Sequence, residues 1–308
     1  MDPGRRAHYG EFYGGAGGGG IGGADDRPLA FVHGNCHAES LRVLLAGSPA
    51  FPYRTVRVPP VHELTADDLP HLRALLGRAA LLLSQPVRDG YRNLPLGTAQ
   101  VAALLPPGGQ VLRWPVVRYT GLHPFSAIVR HPSDPAAVPP VVPYHDLRTL
   151  AVAAGGAGRT TAPPDALRAV AAGSAAELHR RERRDCDVAV SDLLVGLGAD
   201  AVHTLNHPGN PLLVALARRV QDALGAPADA ADPGRTLLGG VRAPLEEPVI
   251  AALDLGVAAR ADWLVDGVAV PAGTVHRAQL DWYAAHPAWV SAGLRRHSDR
   301  MALLGLRS

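Results

Sequence analysis

A short apolar run, Leu29-Ala30-Phe31-Val32, stops at His33-Gly34-Asn35-Cys36 and passes directly into a helical pattern, His37 to Ala46. A strand that ends at a glycine and turns straight into a helix places the next side chain at the open end of a sheet. Here that side chain is a cysteine. Backbone N–H groups at a helix start stabilise negative charge, so Cys36 is expected to have a lowered pKa and to be partly thiolate. The same N–H groups can hold an oxyanion or a phosphate. The plain alternative is an inert cysteine buried beside a tight turn.

Strand and helix patterns alternate beyond this turn. Tyr53 to Val58 reads as a second strand. Thr65-Ala66-Asp67-Asp68 opens a helix with an acidic residue three after a Thr cap, and Gly77 closes it. Leu81 to Ser84 is a short apolar strand, Gly97 to Leu105 a helix, and Gln110 to Val117 a strand interrupted by Pro115. The alternation predicts an α/β fold with a mostly parallel sheet flanked by helices.

The region from Pro132 to Pro164 is Pro-rich and irregular, with a helix expected near His145 to Ala154. Asp165 to Gly198 is mainly helical, and Asp200 to Asn210 reads as a polar turn. Pro211 to Leu224 is a helix capped by Asn210 and ended by Gly225. With helices near His276 to Ala285 and Trp289 to Leu304, the C-terminal half is helix-rich. Residues 1–27 are expected to be a disordered Gly-rich head and 28–308 a single domain.

Among 308 residues all 30 basic side chains are Arg. Without Lys, Schiff-base and P-loop chemistry drop out. A net charge of +2 gives no electrostatic case for nucleic acid. Two cysteines do not make a disulfide framework, no apolar run reaches the roughly 18 residues of a membrane span, and the N-terminus lacks a signal-peptide core. A cytoplasmic enzyme is the expectation.

In an open parallel sheet, ligands bind at the carboxyl ends of the strands. The segments Gln85-Pro86-Val87-Arg88-Asp89-Gly90-Tyr91-Arg92 and Arg118-Tyr119-Thr120-Gly121-Leu122-His123-Pro124 follow two of the expected strands. Convergence of these segments on the Cys36 turn would join a nucleophile, Arg donors and a histidine. Asn206-His207-Pro208-Gly209-Asn210 adds a general-base candidate, with His203 as a second. The His33, Cys36, His37 cluster lacks the C-x-x-C or H-E-x-x-H spacing of a metal site, and no metal is expected.

Together these segments resemble the WcbI-type polysaccharide biosynthesis putative acetyltransferases, over roughly residues 29 to 290. Gly34-Asn35-Cys36, with Glu39 and Leu41 after it, is similar to the family's opening motif, with His37 where the family typically has Gln. The Gln85, Arg118 and Asn206 segments are similar to its later motifs. The resemblance implies binding of coenzyme A or acetyl-CoA and acylation of a hydroxyl on a sugar, polysaccharide or glycosylated metabolite. Cys36, His207, Asn35 and Asn206 are then the catalytic candidates. Gly34, His37, Gln85, Arg88, Arg92, Arg118, Tyr119 and His123 are the coenzyme A candidates. Either Cys36 carries the acyl group covalently, or His207 activates the acceptor for direct transfer. Two alternatives remain open: an SGNH-like Cys/His esterase or thioesterase, and a non-catalytic coenzyme A-binding module.

Overall fold

The structure, a computed structural model, describes residues 3–14, 25–131, 134, 137–156, 158 and 161–306. The chain divides into two compact units, where one domain over 28–308 was expected. The first comprises residues 1–116, 179–193 and 210–237, the second residues 117–178, 194–209 and 238–308.

The first unit is a parallel α/β layer. It contains α1 (Pro3–His8), β1 (Leu29–His33), α2 (Cys36–Ala46), β2 (Arg54–Thr55), α3 (Leu69–Leu76), β3 (Ala79–Ser84), α4 (Thr98–Ala102) and β4 (Gln110–Arg113). The strand order is β2-β1-β3-β4, all parallel. Every residue of β1 is buried, as continuous apolar strands covered on both faces should be. Helix α2 buries His37, Ala38, Leu41, Leu44 and Leu45, one stripe at helical spacing, and packs against the helix Asn210–Ala223. Thr65 and Asp68 form the expected capping box, Asp68 Oδ2 accepting from the Thr65 amide at 2.9 Å.

The N-terminal head differs from the disordered segment expected. Residues 3–14 include α1, and Phe12 and Tyr13 are buried in the same apolar cluster as Leu29, Phe31, Leu72 and Leu82. The Tyr13 hydroxyl donates to Asp68 Oδ1 at 2.8 Å and accepts from Arg5 Nε at 2.8 Å, while Arg5 pairs with Asp68 at 3.0 Å. Burial of two aromatic rings and a charge-assisted clamp supply the ordering that a glycine-rich composition alone would not. Most of the Gly14 to Gly23 tract lies outside the described residues.

The second unit carries short antiparallel pieces among helices. Strands β5 (Ser126–Ala127) and β6 (His145–Asp146) pair, and α5 (Leu147–Ala153) follows at once. The stretch expected as a polar turn contains the hairpin β7 (Val202–Thr204) and β8 (His207–Pro208). A three-stranded antiparallel sheet, β9 (Val241–Arg242), β10 (Trp263–Val265) and β11 (Val268–Val270), interrupts the helical C-terminal region. The helices Ala272–Ala285 and Pro287–Leu303 close the chain.

Candidate active site

At the carboxyl end of the parallel sheet, His33, Ser84 and Arg113 are in register on β1, β3 and β4. The next residue of the central strand is Gly34, and the chain turns there. The Asn35 side chain caps α2, its Oδ1 accepting from the His37 amide at 2.9 Å. Its backbone amide donates to Gln85 Oε1 at 2.8 Å. A Cβ on Gly34 would lie 2.5 Å from that same Oε1, so a glycine is what lets Gln85 reach the turn. Gln85 and His37 are buried, with Gln85 Nε2 3.5 Å from His37 Nδ1. Two segments expected to converge, Gly34 to His37 and the start of the Gln85 loop, therefore meet within one unit.

Cys36 is the first residue of α2. Its thiol departs from expectation: burial pushes the pKa up to about 11, against the lowering effect of the Cys36 and His37 amides, and Glu63 raises it further. The helix start does what was expected of it, but removing a thiolate from water costs more than those amides return. His33 is also neutral at pH 7, because burial holds its pKa at about 4; its Nε2 lies 2.9 Å from the Leu96 carbonyl.

Arg88 and Arg92 are exposed in the loop after β3. Arg92 donates to the His62 carbonyl and adopts a left-handed backbone (φ 55°). Arg88 forms no hydrogen bond or ion pair with any described residue.

Arg118, Tyr119 and His123 were expected to follow a strand edge directly. Instead β4 ends at Arg113 and these three residues belong to the second unit. There the Tyr119 amide donates to the Leu205 carbonyl at 2.8 Å, which joins the Arg118 segment to the Asn206-His207 hairpin. Tyr119 folds over Gly121, where any Cβ would overlap its ring. His123 is buried, its Nδ1 3.0 Å from the Pro244 carbonyl, and burial holds its pKa at about 4. Arg118 is exposed.

His207 is half-buried on β8, and burial lowers its pKa to about 4. The Tyr144 hydroxyl lies 3.3 Å from His207 Nδ1 and 3.0 Å from Thr204 Oγ1, and the two rings meet edge to face. Asn206 Oδ1 is 3.4 Å from Thr204 Oγ1. Asn210, expected as a helix cap, instead binds the 232–237 loop, accepting from the Leu237 amide and donating to Asp232. Tyr144 was missed by the sequence reading. It stands 63 residues from His207 and no local pattern marks it.

The candidates thus fall into two groups. The first unit gathers Gly34, Asn35, Cys36, His37 and Gln85, with Arg88 and Arg92 further along the loop. The second gathers Arg118, Tyr119, Asn206 and His207, with His123 in the same segment as Tyr119. Among the described residues no cluster of three or more His, Cys, Asp or Glu could hold a metal, and no helix is long and apolar enough to cross a membrane.

Residues 29–229 match the family model described as polysaccharide biosynthesis enzyme WcbI. A solved structure of WcbI, described as the native protein without a disulfide bond between coenzyme A and one of its cysteines, is similar in fold. It is 21% identical with a TM-score of 0.68, over 88% of this chain and 99% of that one. No curated protein matches.

Proposed function

Since the chain belongs to the WcbI family of polysaccharide biosynthesis enzymes, we propose that it is a coenzyme A-dependent O-acyltransferase for a sugar-containing or small-molecule hydroxyl acceptor. The observation that carries this reading is the Gly34-Asn35-Cys36 turn into α2 at the carboxyl end of the parallel sheet. We take residues 28–308 to act as one catalytic domain of a cytoplasmic enzyme. The solved WcbI is described by reference to a disulfide between coenzyme A and a cysteine, and Cys36 is the candidate here for that proximity.

Coenzyme A supplies the acyl group as a thioester and carries phosphates that guanidinium forks suit. Arg88 is exposed and uncommitted, which fits that task; Arg92 and Arg118 are the further candidates, with Tyr119 beside Arg118. Gly34, His37 and Gln85 shape the turn. His123, buried and neutral, is a poor phosphate ligand.

Burial of the Cys36 thiol weighs against a covalent route, and direct transfer is the mechanism we take. A thiol with a pKa of about 11 is thiolate to a fraction on the order of 10⁻⁴ at pH 7. His207 is neutral there and has a lone pair to offer. With the Tyr144 hydroxyl donating to Thr204 Oγ1, its oxygen accepts the His207 Nδ1 proton, leaving Nε2 as the base. Nε2 takes the acceptor's hydroxyl proton, the acceptor oxygen bonds the acyl carbon, and the acyl–sulfur bond breaks; coenzyme A leaves through its sulfur, which takes the proton back from Nε2. The Cys36 amide at the start of α2 is the candidate donor to the oxyanion, and Asn35 and Asn206 are the candidates that orient the site.

Intact-mass measurement after mixing with acetyl-CoA, combined with rates for two variants, tests the reading. Direct transfer predicts no adduct of roughly 42 Da, a loss of at least about a hundred-fold in His207→Ala, and a loss under about tenfold in Cys36→Ala. An adduct abolished by Cys36→Ala would restore the covalent route. Rapid cleavage of p-nitrophenyl acetate with no transfer to any glycan acceptor would replace the transferase by the hydrolase.

A further inference from the structure

The second unit encloses a cavity of about 540 Å³ formed entirely by its own residues, within the ~300–1,000 Å³ of small-molecule sites. Most of its wall is apolar, and its charged groups are unbalanced. Arg148 is gripped by Asp146 at 2.7 Å and by Glu246 at 2.8 Å, and lies 4.1 Å over the Phe125 ring. Glu247 adds a third carboxylate, exposed and in no ion pair with a described residue, against the single guanidinium among the described lining residues. A phosphate would meet repulsion here.

The cavity is also short of donors. Gln279 lines it and is 1% exposed; its Nε2 donates to the Tyr144 carbonyl at 2.7 Å, while its Oε1 has no hydrogen-bond partner among the described residues. A buried acceptor left unpaired is costly, and a ligand hydroxyl or ammonium would satisfy it. Its exposed lining residues include the small side chains Ala259, Ala261 and Ala272. One wall is Trp263, which stacks on Tyr144 at 6.0 Å and 14°. Tyr144 is the residue whose hydroxyl holds His207, so the cavity and the candidate base share an aromatic support.

We propose that this cavity is the acceptor subsite, and that it takes a polyhydroxylated, neutral or amino sugar and rejects phosphorylated ligands and coenzyme A. The carboxylates and Gln279 accept from the sugar's hydroxyls or ammonium, and the apolar wall covers its ring face. The assignment of the ligand as acceptor rests on the acyltransferase reading; the binding itself does not.

Calorimetric titration of the full chain with glucosamine, methyl glucoside and glucose 6-phosphate tests the binding. The first two should bind and the phosphate should bind at least about tenfold more weakly. Ala261→Phe, which adds a ring to the lining at an exposed position, and Glu247→Gln, a surface change, should each weaken glucosamine by at least about fivefold. Neither should alter coenzyme A affinity. Failure of both sugars to bind, equal binding of the phosphate, or loss of coenzyme A binding in Ala261→Phe would overturn the proposal. Acyl transfer from acetyl-CoA separates the two readings. Transfer with an unchanged sugar KM in Ala261→Phe sinks the subsite and leaves the transferase. Sugar binding lost in Ala261→Phe, with no transfer by the unaltered chain, sinks the transferase and leaves a sugar site.

Discussion

Gly34→Ala should destabilise the protein through Gln85 and nothing else. An ideal Cβ at residue 34 stands 2.5 Å from Gln85 Oε1, 2.8 Å from its Cδ and 3.0 Å from its Cγ. Gln85 is 1% exposed and enclosed by His37 and the Pro115 carbonyl, so it cannot swing into solvent. To regain ordinary contact it must retreat by about 1 Å. The 2.8 Å bond from the Asn35 amide then breaks, leaving a partly buried donor unpaired. That loss costs about 1–3 kcal/mol and the overpacking a similar amount. The lower unfolded-state entropy of Ala offsets about 0.4–1 kcal/mol. The net expectation is about 2–4 kcal/mol, read as a lower urea midpoint. The decisive comparison is the same substitution in a Gln85→Ala background, where the clash has no partner and Gly34→Ala should cost under about 0.5 kcal/mol. An equal cost in both backgrounds would refute the steric account.

Arg88→Ala should weaken coenzyme A binding by about ten- to a hundred-fold, the scale of one charge-assisted contact, without moving the thermal midpoint; unchanged affinity in titration calorimetry would remove Arg88 from the site. Phe12→Ala should cost about 3–5 kcal/mol, as for any large core ring, and Tyr13→Phe about 1–3 kcal/mol through the unpaired Asp68 and Arg5; a head that only drapes the surface would show neither loss on urea unfolding. His33 and His123 titrate near 6.5 when unfolded and at about 4 when folded, so between those values the unfolded chain alone binds the proton. Stability should therefore be flat above pH 6.5 and fall towards pH 4, by up to about 1.4 kcal/mol per pH unit for each histidine; a urea midpoint independent of pH from 7.5 to 4.5 would contradict it.

Features set by neighbours in sequence were legible without coordinates. The Thr65–Asp68 box reaches three residues, and the apolar runs of β1 and β3 need only a sheet to bury them. The family motifs located every candidate in the chain, including Cys36 and His207. What escaped depends on contacts between distant segments. The β7–β8 hairpin and the β9–β10–β11 sheet are two or three residues per strand, too short to show a period. The head looked disordered because its order comes from Leu72, Asp68 and their neighbours, not from its own glycine-rich composition. Tyr144 meets His207 across 63 residues, and the acidic cavity draws on segments from Leu122 to Gln279. Cys36 shows the division within one residue. Its position at a helix start, and the stabilising amides that come with it, follow from five consecutive residues. Its protonation was decided by burial, and burial is a property of the folded chain: desolvation of the thiolate outweighs the local amides and leaves the thiol neutral.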